Sequence, residues 1–335
     1  MSVENIRQKL IVSESPHIRQ GDTTAGIMLD VVIALIPVLI AGIMIFGYRA
    51  GVLAGVCVAS SVIFEWAWCR ILKKPSSIGD FSAVVTGLLL AMNLPVTMPF
   101  WMAILGAFFA IVIVKQFFGG IGHNFMNPAL AARAFLLTSW PQQMTTWVKP
   151  FAPVDLSLGA DIVSSATPLA IIKSGTGELS SYMDMFLGKI GGCMGEVSTL
   201  ALLIGALYLL VRRVIRIRIP FSYIATVSVL TFIFGGKDGL FTGDVLTHLL
   251  SGGLILGAFF MATDYVTTPY TKTGQIIFGI GCGVLTSVIR IWGGYPEGVS
   301  YSILLMNVAA PLIDRFTQPK RFGEIGKKRG AKGNV

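Results

Sequence analysis

The chain has 335 residues, of which 54% are apolar and only 13% charged, with a formal net charge of +9. Soluble globular proteins carry about 25% charged residues, so a single water-solvated core is excluded and lipid must serve as part of the solvent. The basic excess lies at segment ends and tails instead of on one face, which excludes a nucleic-acid partner as its explanation.

Residues 1–26 are polar, with Arg7, Lys9, His17, Arg19 and Asp22, and carry no cleavable signal peptide; the first apolar run opens at Ile27. Ten apolar runs follow. The first five are Ile27–Phe46, Gly51–Leu72, Phe81–Leu94, Phe100–Phe118 and Pro128–Trp140. A polar stretch, 141–189, separates them from Ile190–Val211, Pro220–Phe234, Val245–Ala262, Gln275–Ile291 and Tyr301–Ile313. The pattern predicts an all-α polytopic membrane protein of about ten transmembrane helices. The runs 81–94, 128–140 and 301–313 are too short to cross ~30 Å at 1.5 Å per residue. They predict helices that are half-spanning, broken or extended into the flanking loops.

Basic residues orient the chain. With a cytoplasmic N-terminus and ten alternating segments, 19 of the 26 Lys and Arg fall on the cytoplasmic side. That bias follows the positive-inside rule. It predicts cytoplasmic termini, including a basic tail at 315–335, and an extracytoplasmic loop at 141–189.

A weak internal duplication divides the segments into repeats at 27–140 and 190–314. Gly79-Asp80 and the run from Thr86 match Gly243-Asp244 and the run from Ser251; Met126-Asn127 and Arg133 find an echo in Met306-Asn307 and Arg315. Five segments per half force the second copy to insert upside down, giving two inverted five-helix repeats with interrupted elements at equivalent places.

The four cysteines, Cys57, Cys69, Cys193 and Cys282, stand singly without ligand spacing and read as buried small hydrophobes, so no metal or iron–sulfur site is expected in the chain. His123 and His248 fall on opposite sides of the predicted membrane, which argues against a shared haem.

The long loop holds Asp161-Ile162-Val163-Ser164-Ser165-Ala166-Thr167-Pro168. Small neighbours at Ser164, Ser165 and Ala166 predict an accessible Thr167 hydroxyl on exposed backbone, and Pro168 biases Thr167 towards an extended conformation. On its chemistry alone the segment also reads as an ordinary solvated turn. No histidine is present to build a nucleophilic triad there.

This motif, with Ser15-Pro16-His17, Asn124-Phe125-Met126-Asn127-Pro128-Ala129, Phe260-Met261-Ala262-Thr263-Asp264, Pro311-Leu312-Ile313-Asp314 and Pro319-Lys320-Arg321-Phe322-Gly323, resembles the RnfD/NqrB family over nearly the whole chain. The longer N-terminal extension of the NqrB branch is absent, which favours the Rnf branch. The resemblance implies a membrane subunit of an Rnf-type complex in the bacterial cytoplasmic membrane. Such a complex couples electron transfer between ferredoxin and NAD to Na⁺ or H⁺ translocation. It also implies FMN joined to Thr167 by a phosphodiester, attached by a flavin transferase acting outside the cytoplasm. Many family members have Ser-Gly-Ala-Thr at the motif, where this chain has Ser164-Ser165-Ala166-Thr167. A second, noncovalent flavin stays open. The implied partners are soluble subunits that handle ferredoxin and NAD, a second FMN subunit and small membrane subunits, since this chain has neither nucleotide-binding glycine motif nor iron–sulfur ligands.

Ionisable residues within the apolar segments are functional hypotheses by default. Asp264, beside Thr263, Thr267 and Thr268, is the first candidate for a coupling-ion or proton contact, and Asp314 the second. An interfacial carboxylate capping a helix or pairing with Lys272 is the alternative reading of Asp264. Glu65, Arg133 and Arg290 also lie in apolar surroundings; flavin phosphate or acidic residues are the candidate partners of the two arginines, and Glu65 has none assigned. A competing reading of the whole chain is an inverted-repeat secondary transporter or channel for a small polar solute, without redox chemistry.

Overall fold

The computed structural model describes residues 23–151, 165–175, 179–196, 198–236 and 239–319. Among them there is no β-strand. Thr23 accepts from Gly26 N at 3.1 Å and so opens α1 (Thr24–Phe46). Gly47, at φ +82°, turns the chain into α2 (Tyr48–Ile71). The short α3 (Ser82–Met92) and α4 (Phe100–Phe108) follow, and α4 runs on as a π-helix over Phe109–Gln116. Asn127 caps α5 (Pro128–Ser139), with Pro128 at the first helical position where its missing N–H costs nothing.

The stretch predicted as a polar loop contains three short helices, α6 (Pro141–Met144), α7 (Pro168–Ser174) and α8 (Tyr182–Leu187). Next come α9 (Thr199–Val211) and α10 (Arg218–Phe234). The third segment of the second half is broken: α11 (Val245–Leu250) stops at Ser251, and α12 (Leu254–Leu256) resumes and passes into a π-turn, Gly257–Met261. The chain closes with α13 (Lys272–Ile291) and α14 (Val299–Thr317).

The ten expected segments are all present as helix, with one correction and one alternative decided. The sixth begins at Thr199 and not at Ile190, because 190–196 is an irregular plug. Of the alternatives for the short tenth run, extension into the flanks is the one found, giving 19 residues.

α1, α2 and α13 are each long and apolar enough to cross a membrane, and α3, α9, α10 and the continuous Phe100–Gln116 are shorter apolar helices. Their outer faces leave Met44, Leu207, Val211 and Phe221 exposed. Such a girdle suits lipid and would aggregate in water. Between helices, close backbone approach replaces the hydrophobic effect as the packing device. A Cβ on Gly205 of α9 would sit 2.1 Å from the Ala34 carbonyl of α1, so the two backbones touch there.

The loops sort into two groups, each bonded internally. In one, Arg49 donates to the Val96 carbonyl at 2.9 Å, Thr97 to the Thr146 carbonyl, and Tyr182 to Asp244. In the other, Ser77 donates to Glu65, Tyr265 to the Val214 carbonyl and Tyr270 N to Asp314. These groups are the two sides that alternating segments require.

At the centre lies α3, buried on nearly every face. Its C-terminal carbonyls lack intrahelical donors, and the 190–196 plug supplies them. Gly195 N donates to Met92 O at 2.8 Å and the Cys193 thiol to Asn93 O at 3.2 Å.

Candidate functional site

Thr167 is not exposed: it is 5% accessible, which corrects the expectation of a hydroxyl on open backbone. Its backbone is extended as expected before proline, at φ −70° and ψ 152°, and its Oγ1 accepts from Ala170 N at 3.2 Å to cap α7. The reason for the burial is α7 itself. Leu169 packs over the break between α11 and α12, so tightly that a Cβ on Gly252 would come within 2.2 Å of it. The helix start is thereby pulled against the body of the protein. Asp161 and Ser164 of the motif lie outside the described residues. Ser165 donates its N–H to Trp147 O at 3.1 Å, while its buried hydroxyl has no partner among the described residues.

Thr167 faces a cavity of about 580 Å³. Its walls combine apolar and aromatic side chains, with Leu137, Met144, Trp147 and Tyr295, and polar ones, with Thr145, Thr146, Ser165, Thr167, Arg133 and Glu297. The volume matches small-molecule sites, which run from about 300 to 1,000 Å³.

Arg133, on α5, is the base of a buried ionic cluster. It donates to Asn93 Oδ1 at 2.8 Å, to Glu196 Oε1 at 3.1 Å and to Glu297 Oε2. Asn93 ends α3, Glu196 comes from the plug, and Glu297 from the turn between α13 and α14. Arg133 and Glu297 also line a chamber of only about 10 Å³ with Asn93, Glu196, Gly253 and Met261. The Arg133–Glu297 pair therefore stands between the Thr167 cavity and the broken-helix junction.

A second cluster sits at the opposite end of α3. Glu65 and Lys115, both buried, pair at 2.9 Å. Lys115 also donates to Ser82 Oγ at 2.6 Å, and Gln116 to Glu65 at 2.9 Å. Ser82 opens α3 by donating its N–H to Asp80 Oδ1 at 2.8 Å. Glu65, unassigned from the sequence, thus has its partner.

Lys115 borders a second cavity, of about 100 Å³, lined also by Asn124, Asn127, Thr263, Asp264 and apolar side chains of α1, α3 and α9. Asp264 is half-buried there. It accepts from Val266 N at 3.4 Å and Thr267 Oγ1 at 3.2 Å, and no ion pair to Lys272 or another cation forms among the described residues. Burial pushes its carboxyl above the ordinary aspartate range. Asp314 accepts from Tyr270 N at 3.1 Å and anchors the loop that carries Asp264.

The junction between the cavities is built from residues of both halves. Asn93 Nδ2 approaches Met261 Sδ at 3.7 Å, and Asn127 Nδ2 donates to Met261 O at 3.4 Å. With its amide oriented to satisfy its neighbours, Asn307 accepts from Asn127 N at 3.1 Å and donates to Thr267 O at 3.2 Å. The two asparagines of the sequence echo therefore meet, although Asn127 caps a helix and Asn307 lies inside one.

Arg290, at the end of α13, donates to the carbonyls of His248, Ser251 and Gly252 and so satisfies the end of α11 at the break. His248 is buried in α11 and His123 lies in the turn before α5, on the other group of loops. All four cysteines are buried and free. Sequence reasoning misses Glu196 and Glu297. Glu196 carries a signal, a lone carboxylate inside an apolar run; Glu297, in a Gly-Gly-Tyr-Pro-Glu-Gly turn, carries none.

A family model described as NQR2, RnfD, RnfE family matches residues 11–323. The D subunit of the Na(+)-translocating ferredoxin:NAD(+) oxidoreductase complex of Acetobacterium woodii is similar at 52% identity, over 96% of this chain and 98% of the relative. The D subunit of the proton-translocating ferredoxin:NAD(+) oxidoreductase complex of Clostridium ljungdahlii is 47% identical, over 93% of this chain and 96% of its own. The D subunit of an ion-translocating oxidoreductase complex from Stutzerimonas stutzeri is 41% identical, with 89% and 91% covered.

Proposed function

This chain belongs to the NQR2, RnfD, RnfE family, and on that premise we propose that it is the D subunit of an ion-translocating ferredoxin:NAD⁺ oxidoreductase complex, carrying FMN on Thr167. It is not catalytic alone. The observation that carries the flavin reading is the Thr167 cavity: this threonine, on an extended backbone before a helix, lines about 580 Å³ of space walled by apolar, aromatic and hydroxyl side chains. The residues present fit the group. Thr167 Oγ1 would form the phosphodiester, Trp147 and Tyr295 would flank the ring system, and Arg133 and Glu297 supply polar groups to the wall. Bound there, FMN would supply both one-electron and two-electron transfer, which suits a relay between partners. Burial of Thr167 keeps the linkage from water, and covalent attachment prevents loss of a group that must serve many turnovers.

Ion coupling belongs to the other end of α3. Asp264 offers a carboxylate with no cationic partner among the described residues, beside Thr263, Thr267 and a cavity that reaches Lys115. Hard oxygen ligands of this kind suit a proton or a small cation. Relatives are named for Na⁺ and for protons, so the reading covers either ion. Asp314 acts with it as the second candidate, through its hold on the Asp264 loop. At about 100 Å³ the Asp264 cavity is too small for a second, noncovalent flavin.

Orientation follows from charge. The group of loops around Thr167 is extracytoplasmic and the group around Asp264 cytoplasmic, with both termini on the latter side of the bacterial inner membrane. Support for inverted repeats comes from equivalent residues at opposite ends. Asp80 and Asp244 each open the third segment of their half. Lys115 and Arg290, each near the end of the fourth, bind at the third segment of the same half. Maturation calls for a flavin transferase, and turnover for the ferredoxin- and NAD-handling subunits with the other Rnf membrane subunits.

The direct test is peptide mass spectrometry of the protein made with and without the transferase. The peptide containing Thr167 gains the mass of one FMN less water only when the transferase is present. An unmodified peptide in both preparations rejects the reading.

A further inference from the structure

Two carboxylates converge on one guanidinium beneath the Thr167 cavity. Arg133 bonds both Glu196 and Glu297, so with all three ionised the cluster carries one uncompensated negative charge. Two further cations are committed to backbone carbonyls, Arg290 to those of His248, Ser251 and Gly252 and Lys173 to those of Gly293 and Tyr295. A buried net charge away from water is costly, and one bound cation of the right size removes it. The chamber between the carboxylates measures about 10 Å³, room for about one water, so a hydrated metal ion is excluded on size.

Glu297 is the member placed to exchange. Its side chain is 17% exposed against 5% for Glu196, and of the two only Glu297 lines the Thr167 cavity. The groups facing it are Arg133 from α5, Glu196 and Cys193 from the plug, Arg290 from the end of α13, and Tyr295 on its own turn. α3 brings the neutral Asn93, and α7 brings Thr167 at its start and Lys173 near its end, whose ammonium donates to the Gly293 and Tyr295 carbonyls of the same turn.

We propose that Glu297, held between Arg133 and Glu196, is a proton-binding site that exchanges its proton with the Thr167 cavity. The step is an acid–base one: the Glu297 carboxylate takes a proton from the cavity, an O–H bond forms, and the cluster passes from a net charge of minus one to zero. Arg133 keeps its bonds to Asn93 and Glu196 throughout. Burial and the Glu196 charge push the Glu297 carboxyl up, to about 7, against the opposing pull of Arg133. Any negative charge placed in the cavity favours the protonated form. The site stands without the flavin reading and goes beyond it.

Infrared difference spectra of the purified full-length protein, taken from about pH 5 to about pH 9, read the protonated carboxyl directly. Wild type shows a carboxyl band that disappears with a midpoint near neutrality. Glu297→Gln removes that band, and Thr167→Val leaves it in place, which separates this test from any failure of flavin attachment. Glu196→Gln moves the midpoint down, because the like charge is gone. Absence of a neutral-range carboxyl in wild type, or its persistence in Glu297→Gln, overturns the proposal. The wild-type titration decides the first point even where a variant fails to fold.

Discussion

Arg133 donates to Asn93 Oδ1 at 2.8 Å, and this bond joins the wall of the Thr167 cavity to the end of α3. The same guanidinium holds two carboxylates, so its removal leaves both buried without a cation. Arg133→Met is expected to cost about 3–5 kcal/mol, as is usual when one partner of a buried ion pair is deleted. Thermal unfolding of the purified protein measures it. Arg133→Lys keeps the charge and loses the planar fork, and falls between the two.

Glu65 and Lys115 form the corresponding pair at the start of α3. Lys115→Met alone destabilises by about 3–5 kcal/mol, because Glu65 is then left charged in a dry site. The double change Glu65→Leu with Lys115→Met restores most of that loss. A double-mutant cycle on melting temperature gives the coupling, and additive losses would show that the pair holds nothing together.

Asp264→Asn preserves the shape of the side chain and an acceptor for Val266 N and Thr267. It removes the one charge. Ion transport by the reconstituted complex is expected to fall by about an order of magnitude, with flavin attachment unchanged. Asp314→Asn acts by a different route, since Asp314 holds the Tyr270 backbone; its effect on stability is about 1 kcal/mol. Unchanged transport in Asp264→Asn removes it from the ion path.

Glu297 makes stability depend on pH with a defined sign. Burial and the Glu196 charge push its carboxyl up, to about 7, in the folded chain, from about 4.3 in an unfolded one. The folded state therefore binds the extra proton between those values. The resulting stabilisation is complete below the unfolded value and is lost as pH rises through about 7. The melting temperature of wild type should fall between about pH 5 and about pH 8, and Glu297→Gln should flatten that slope.

The segments are legible in the sequence because apolar runs in lipid admit few alternatives to helix. The run Val245–Ala262 reads as one segment of an interrupted type, but the break at Ser251–Gly253 is found only in the fold, where two successive glycines at φ +71° and +65° explain it. Residues 190–196 read as helix and are not. Their apolar composition serves another purpose, since their backbone is spent on the end of α3. Thr167 is legible as a residue but not in its setting. Its burial depends on Leu169 meeting Gly252, a contact across some eighty residues that no local pattern encodes. Glu297 is hidden for a related reason: a turn between two helices reads as solvated until the cavity beneath it is known.

The central claim rests on Thr167, and the denatured protein tests it most directly. Thr167→Val leaves the body of the fold intact and removes a helix cap of about 1 kcal/mol. Made with the flavin transferase and run on a denaturing gel, wild type should fluoresce yellow-green under ultraviolet light and Thr167→Val should be dark. A dark wild-type band, or fluorescence that survives in Thr167→Val, contradicts the account.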